Sequence, residues 1–266
     1  MYRVWRHMIR RINGADIHYE TMGETGNRVL LLHGWGCDIS LMKPVGEALQ
    51  AEHRVMMVDF PGHGESGRPP EPWGVPEFAE TLVILLRETG FFPCSVVAHS
   101  FGCRIAAWIA SHETGLFEKM VFTGGAGIRP KPSEEAEKRQ AHYKKLRNQA
   151  ERIRKIPFLR TAADSVEERL RRKYGSRDYN ALDAEMRQTF VRVVSQDLTD
   201  CYADIPQSTL LIWGDQDTET PLWMAHEMEK RIPDCGLVIF EGGTHFAYLE
   251  QISRFNLIIS GFLKEA

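Results

Sequence analysis

The sequence predicts an α/β fold: a mostly parallel, doubly wound sheet of eight strands, with an antiparallel strand pair at its N-terminal end. Three observations predict it. Short apolar runs alternate with helical stretches along most of the chain, the pattern of a parallel sheet covered on both faces. These runs are continuously apolar rather than alternating, as strands buried on both faces require. With 266 residues, 43% hydrophobic and 26% charged, the chain can bury such a core without disulfide or metal staples.

The elements follow in order. Met8–Ile12 and Ile17–Thr21 flank Asn13-Gly14, a strong hairpin signal, so an antiparallel pair precedes the parallel sheet. Further strands are expected at Arg28–His33, Arg54–Phe60, Cys94–His99, Lys119–Thr123, Thr209–Trp213 and Leu237–Phe240. Helices are expected between them at Leu41–Glu52, Glu77–Thr89, Ile105–His112 and Leu222–Ile232, with a last one at Tyr248–Lys264. From Arg129 to Ile205 the rhythm breaks: no good strand occurs, and helix formers are punctuated by Pro130, Pro132 and Pro157. An insertion over 129–205, within a core of 1–128 and 206–266, is expected to form a helical cap over one edge of the sheet.

Charge is uneven along the chain. Arg129 to Arg177 holds 16 Lys and Arg against 7 Asp and Glu, a balance of +9, while the remainder holds 17 against 29, giving the overall −3. Either these cations attract an anionic substrate or an acidic carrier, or they are the solvated face of helices interleaved with Glu. Within the same stretch and just after it, Phe158, Leu159 and Phe190 are candidates for lining an acyl pocket or for plain packing. The 5 cysteines, Cys37, Cys94, Cys103, Cys201 and Cys235, are odd in number and form no C-x-x-C pair, which argues against a zinc site or a disulfide framework. The basic start lacks the apolar run of a secretory signal, and no window approaches the roughly 18 apolar residues of a membrane span. A soluble, cytoplasmic protein is the expectation, with neither membrane nor nucleic acid as partner and its oligomeric state left open.

One constellation carries chemistry. Ala98-His99-Ser100-Phe101-Gly102 follows an apolar run and precedes a helical one, the strand–turn–helix context of a G-x-S-x-G elbow. The sharp turn needs flanking residues almost without side chains; Gly102 meets this, and Ala98 departs from it by one methyl group. A serine hydroxyl needs a positioned base. His245, in the loop Glu241-Gly242-Gly243-Thr244-His245-Phe246 after the last strand, stands out among 10 histidines. The base needs an acid to hold its tautomer, and Asp215, Asp217 and Glu219 in the loop after Thr209–Trp213 are all candidates. An oxyanion would be met by the backbone N–H groups of Phe101, next to the serine, and of Trp35 in the loop His33-Gly34-Trp35-Gly36. His33 is expected to bond the loop backbone.

Together with Asp59-Phe60-Pro61-Gly62-His63-Gly64-Glu65-Ser66, similar to a D-x-x-G-x-G-x-S turn, these motifs resemble the α/β-hydrolase superfamily in its serine-nucleophile branch. The resemblance spans nearly the whole chain except 129–205. It implies a triad of Ser100, Asp217 and His245, with Asp215 kept as the structural alternative. It implies hydrolysis of a carboxylic ester or thioester through an acyl-enzyme, as in small carboxylesterases and pimeloyl-carrier-protein methyl esterases. The substrate would be a small-molecule ester, anionic or carrier-bound, with no cofactor and no metal required. Two rival expectations remain: carbon–carbon bond hydrolysis or a lyase or synthase reaction by the same triad, and a non-catalytic binding protein on the same fold.

Overall fold

A single eight-stranded sheet, in the order β1-β2-β4-β3-β5-β6-β7-β8, organises the larger part of the protein. The computed structural model describes residues 5–129, 134–156, 160–174 and 177–264. The strands are β1 (Arg6–Ile12), β2 (Ala15–Met22), β3 (Arg28–Leu32), β4 (Arg54–Val58), β5 (Cys94–His99), β6 (Phe117–Thr123), β7 (Ser208–Gly214) and β8 (Cys235–Phe240). β1 pairs antiparallel with β2, and β2 antiparallel with β4; every other pairing is parallel. The hairpin forms where Asn13-Gly14 predicts it. Both residues have positive φ, 47° and 82°, as a type I′ turn demands.

Helices interleave with these strands: α1 (Lys43–Leu49), α2 (Val75–Thr89), α3 (Phe101–His112), α4 (Glu134–Arg154), α5 (Arg160–Tyr174), α6 (Arg177–Ala181), α7 (Ala184–Ser195), α8 (Thr199–Ala203), α9 (Leu222–Arg231), α10 (Ala247–Glu250) and α11 (Ile252–Lys264). The sheet separates two apolar clusters because successive side chains of a strand point to opposite faces. Leu30 and Leu32 of β3, Val96 and Ala98 of β5, and Met120 and Phe122 of β6 pack with α2, α3 and α9. Val29, Leu31, Val97 and Val121, from the alternate positions, pack with α1 and α11 through residues such as Val45, Phe255 and Ile259. This double burial is why the strands read as unbroken apolar runs.

Several boundaries differ from expectation. The expected single helix over Tyr248–Lys264 is two, since Gln251 leaves the helical region at φ −119°, ψ 44° and its side chain donates to Glu241 O at 3.0 Å. β4 stops at Val58 rather than Phe60, because Asp59 begins the turn instead: its carboxylate accepts from the N–H groups of Ile39 and Glu65, each at 2.9 Å. Helix α3 starts at Phe101, four residues before the expected Ile105.

The chain divides into two compact units, Met1–Ile128 with Val191–Ala266 and Arg129–Phe190. Residues 191–205, which the sequence reading includes in the insertion, fall with the larger unit: Tyr202 of α8 is buried and donates to Ala126 O at 2.7 Å. The smaller unit contains α4, α5 and α6 and most of α7. Within it the Tyr143 and Tyr174 rings stand 5.3 Å apart, and Phe190 is buried with its ring 6.3 Å from that of Tyr179. Pro130, Pro132, Pro157, Phe158 and Leu159 lie outside the described residues.

Candidate active site

Ser100 stands between β5 and α3 with φ 49° and ψ −102°, a conformation that non-glycine residues adopt only when their surroundings impose it. The surroundings do so from both sides. The Ser100 N–H donates to Thr123 O at 3.1 Å, tying the elbow to the end of β6. The Gly102 N–H donates to His33 O at 3.1 Å, tying it to the loop after β3. A Cβ on Gly102 would stand 2.8 Å from both Cβ and O of Leu32, so only glycine fits there. On the near side Ala98 is fully buried in the apolar cluster that the sheet shares with α2 and α3.

His245 comes from the loop after β8. Its Nδ1 lies 2.8 Å from Asp217 Oδ2, and since a carboxylate only accepts, Nδ1 carries the proton of that bond. The Asp217 side chain is fully buried and that of His245 is 14% exposed, so the imidazole can meet a substrate and the carboxylate cannot. Asp217 is held in turn by the N–H groups of Glu219 and Thr220, both 2.9 Å from Oδ1, and by the Thr220 hydroxyl, 2.8 Å from Oδ2. Burial pushes the Asp217 carboxyl upward, but the hydrogen bond and charge of His245 and the two Thr220 donors outweigh it and hold it below its ordinary value. Asp215 does different work. Its Oδ1 accepts from the Gly242 N–H at 2.8 Å, bracing the turn that carries His245. Of the two carboxylates that the sequence offers, Asp217 bonds the imidazole and Asp215 bonds the loop.

The serine and histidine loops share neighbours. His99, one residue before the serine, donates from Nε2 to His245 O at 3.0 Å, and the two rings stand 4.7 Å apart. Burial, with a contribution from His245, pushes the His99 imidazole down to about 3, so it is neutral and its donor is fixed. Gly124, after β6, has φ 53° and approaches so closely that a Cβ there would be 3.0 Å from two His245 ring atoms. The loop after β3 closes from the other side: a Cβ on Gly34 would lie 3.4 Å from Ser100 Cβ. In that loop His33 donates from Nδ1 to Gly34 O at 2.7 Å and accepts the Phe60 N–H on Nε2 at 3.0 Å, so it is occupied with backbone on both nitrogens. Trp35 and Phe101 are neighbours, their rings 5.2 Å apart. The Phe101 N–H opens α3, where the first backbone donors have no partner within the helix and carry its positive dipole end.

Thr220 and His99 were missed in the sequence. Thr220 sits three residues after Asp217, a spacing at which an Asp commonly accepts from a following N–H, and this signal was available. Among the described residues no helix is long and apolar enough to cross a membrane.

Comparison with known proteins identifies the family and the fold. A model of the alpha/beta hydrolase family matches residues 29–256. The 2-hydroxymuconate semialdehyde hydrolase of Pseudomonas putida is 26% identical over 95% of this chain and 92% of its own length. The pimeloyl-[acyl-carrier protein] methyl ester esterase of Vibrio vulnificus is 22% identical over 91% and 95%. A hydrolase from Pseudomonas aeruginosa superposes with a TM-score of 0.74 at 23% identity, covering 97% of this chain and 98% of the other. Across curated relatives the chain spans between 66% and 95% of their length. With its sheet order, its elbow and a family model spanning most of its residues, this chain belongs to the alpha/beta hydrolase family.

Proposed function

We propose that this chain is a serine hydrolase that cleaves a carboxylic ester or thioester through an acyl-enzyme at Ser100, with His245 as base and Asp217 as its orienting acid. The observation that carries this reading is the 2.8 Å hydrogen bond that His245 Nδ1 donates to the buried Asp217, with the His245 backbone in turn bonded to His99, the residue before a serine held at positive φ. In the first half, His245 Nε2 takes the Ser100 hydroxyl proton as Oγ attacks the acyl carbon. The oxyanion is met by the N–H groups of Trp35 and Phe101. His245 then returns the proton to the leaving alcohol or thiol as the tetrahedral carbon collapses to the acyl-enzyme. In the second half His245 takes a proton from water, the hydroxide attacks the ester, and the proton goes back to Ser100 Oγ as the acid leaves. The steps balance with the ester or thioester and one water as the only reactants.

The test is covalent labelling with a fluorophosphonate probe. Wild type is expected to be labelled at Ser100, and a folded Ser100→Ala variant not at all; labelling of that variant would sink the assignment. A panel of esters graded by acyl length and charge then defines the substrate. The semialdehyde hydrolase among the relatives favours a second reading, carbon–carbon bond hydrolysis by the same residues. That reading requires slow turnover of simple nitrophenyl esters, and rapid turnover of short acyl esters excludes it.

A further inference from the structure

The first hairpin carries a second cluster of ligating side chains, which the triad does not use. In the β1–β2 ladder His7 lies opposite Glu20 and Ile9 opposite His18, which puts His7, His18 and Glu20 on one face. The turn after β4 brings Glu65 to the same place. The His7 and His18 rings are 4.3 Å apart between centroids, and His7 Nε2 is 3.8 Å from Glu65 Oε2. One ligand atom from each of His7, His18 and Glu65 lies within 4.8 Å of the other two.

His18 is the fixed member. It is completely buried, and its Nδ1 lies 2.7 Å from Asp59 Oδ2, so the proton belongs on Nδ1 and the lone pair on Nε2. That Nε2 is buried without a hydrogen-bond partner, and so is Glu20 Oε2. Unmet polar atoms of this kind are costly in a folded core. Glu20 Oε1 stands 4.0 Å from His18 Nε2 and 3.2 Å from the Lys43 ammonium. Asp59, Glu20 and Glu65 thus gather three carboxylates around two imidazoles, and Lys43 balances one of them. An imidazole steered through its other nitrogen by a buried carboxylate is the outer-shell arrangement that orients metal-ligating histidines.

We propose that His7, His18 and Glu65 bind a zinc-like divalent cation, which ties β1 and β2 to the turn after β4. Two imidazoles with one carboxylate suit Zn2+, whereas Mg2+ and Ca2+ take shells of oxygen. Three protein ligands leave the fourth tetrahedral position to water. Ligand atoms on a tetrahedral zinc stand about 3.4 Å apart, given bonds of about 2.0–2.2 Å. The wider spacing seen closes by rotation of His7 and Glu65, whose side chains are 48% and 65% exposed, onto a stationary His18. None of the three belongs to the triad or to its oxyanion donors. Their wide separation in sequence is why no ligand spacing marks them.

The experiment is calorimetric titration of Zn2+ into chelator-treated protein, with wild type beside His7→Ala and Glu65→Gln. Both substituted side chains are at the surface, so each variant keeps the fold. Wild type is expected to bind one Zn2+ per chain, and each variant to lose more than about tenfold in affinity, the smallest loss typical of removing even an outer-shell partner. Zn2+ is also expected to raise the wild-type melting temperature, and the variants lose that rise. Co2+ in place of Zn2+ distinguishes this site from the partly exposed Cys37 and Cys235, since imidazole and carboxylate ligands give no thiolate-to-metal charge-transfer band. Absence of binding, unchanged affinity in either variant, or a thiolate band would overturn the proposal.

Discussion

Two carboxylates in the loop after β7 differ in what their oxygens accept, and that difference predicts different kinetics. Asp217→Asn replaces an acceptor beside His245 Nδ1 with a group that can donate, which favours the wrong imidazole tautomer. The expected loss in kcat is about 10⁴-fold with the fold retained, by analogy with the triad acid of serine proteases. Asp215→Asn keeps an acceptor for the Gly242 N–H and is expected to change kcat by less than about tenfold, since its bond supports a loop and not the imidazole. Ester turnover by the two variants, set against their circular dichroism, checks both; equal losses would contradict the assignment. The sequence brought these residues to one loop but could not choose between them. Side-chain direction in a tight turn depends on which backbone donors fold back onto each carboxylate, and Asp217 is captured by Thr220 from the same loop.

The strands were legible because burial on both faces leaves a run such as Val96-Val97-Ala98 with no polar position, and no helix of that length explains it. Helix limits were less so. Nothing local in Gln251 forecasts a break that depends on Glu241, ten residues away, accepting its side chain. The same holds for His99, whose bond to His245 O spans 146 positions and exists only once β5 and β8 lie in one sheet. The elbow was legible through Gly102, and here a prediction follows. In Gly102→Ala the added methyl meets Leu32 backbone and side chain at 2.8 Å, and β3 cannot retreat because it is hydrogen-bonded to both β4 and β5. A loss of about 1–3 kcal/mol is expected from this overpacking, read as a lower urea midpoint, together with impaired acylation as α3 shifts from the loop after β3. Wild-type stability in this variant would show that the elbow has slack.

The whole molecule divides its charge as it divides its packing, with the excess of cations between residues 129 and 177 and the excess of anions elsewhere. In the smaller unit the exposed pairs Lys138–Glu134, Arg147–Glu151 and Arg172–Glu168 follow the helical i, i+4 spacing and contribute about 0–1 kcal/mol each. Stability against acid rests instead on buried groups of the larger unit. His99 is neutral in the folded protein down to about 3, whereas in the unfolded chain it takes up a proton below its ordinary value of 6.5. Between those limits the unfolded state binds the extra proton, so stability falls as pH drops below about 6.5 and stops falling from this source near 3. Asp217 is depressed in the folded state, so its contribution is complete above the unfolded carboxyl value of 3.8 and is lost as pH falls through the lower folded value. The two windows overlap between about 3 and 3.8 on acidification. The urea midpoint is expected to decline from about pH 6.5 in wild type, and His99→Gln, whose amide can still donate to His245 O, is expected to make that limb shallower, the remainder coming from His33, His53 and His63, which burial also pushes down. An unchanged slope between pH 6 and 4 in that variant would mean that another group, and not His99, carries the proton uptake.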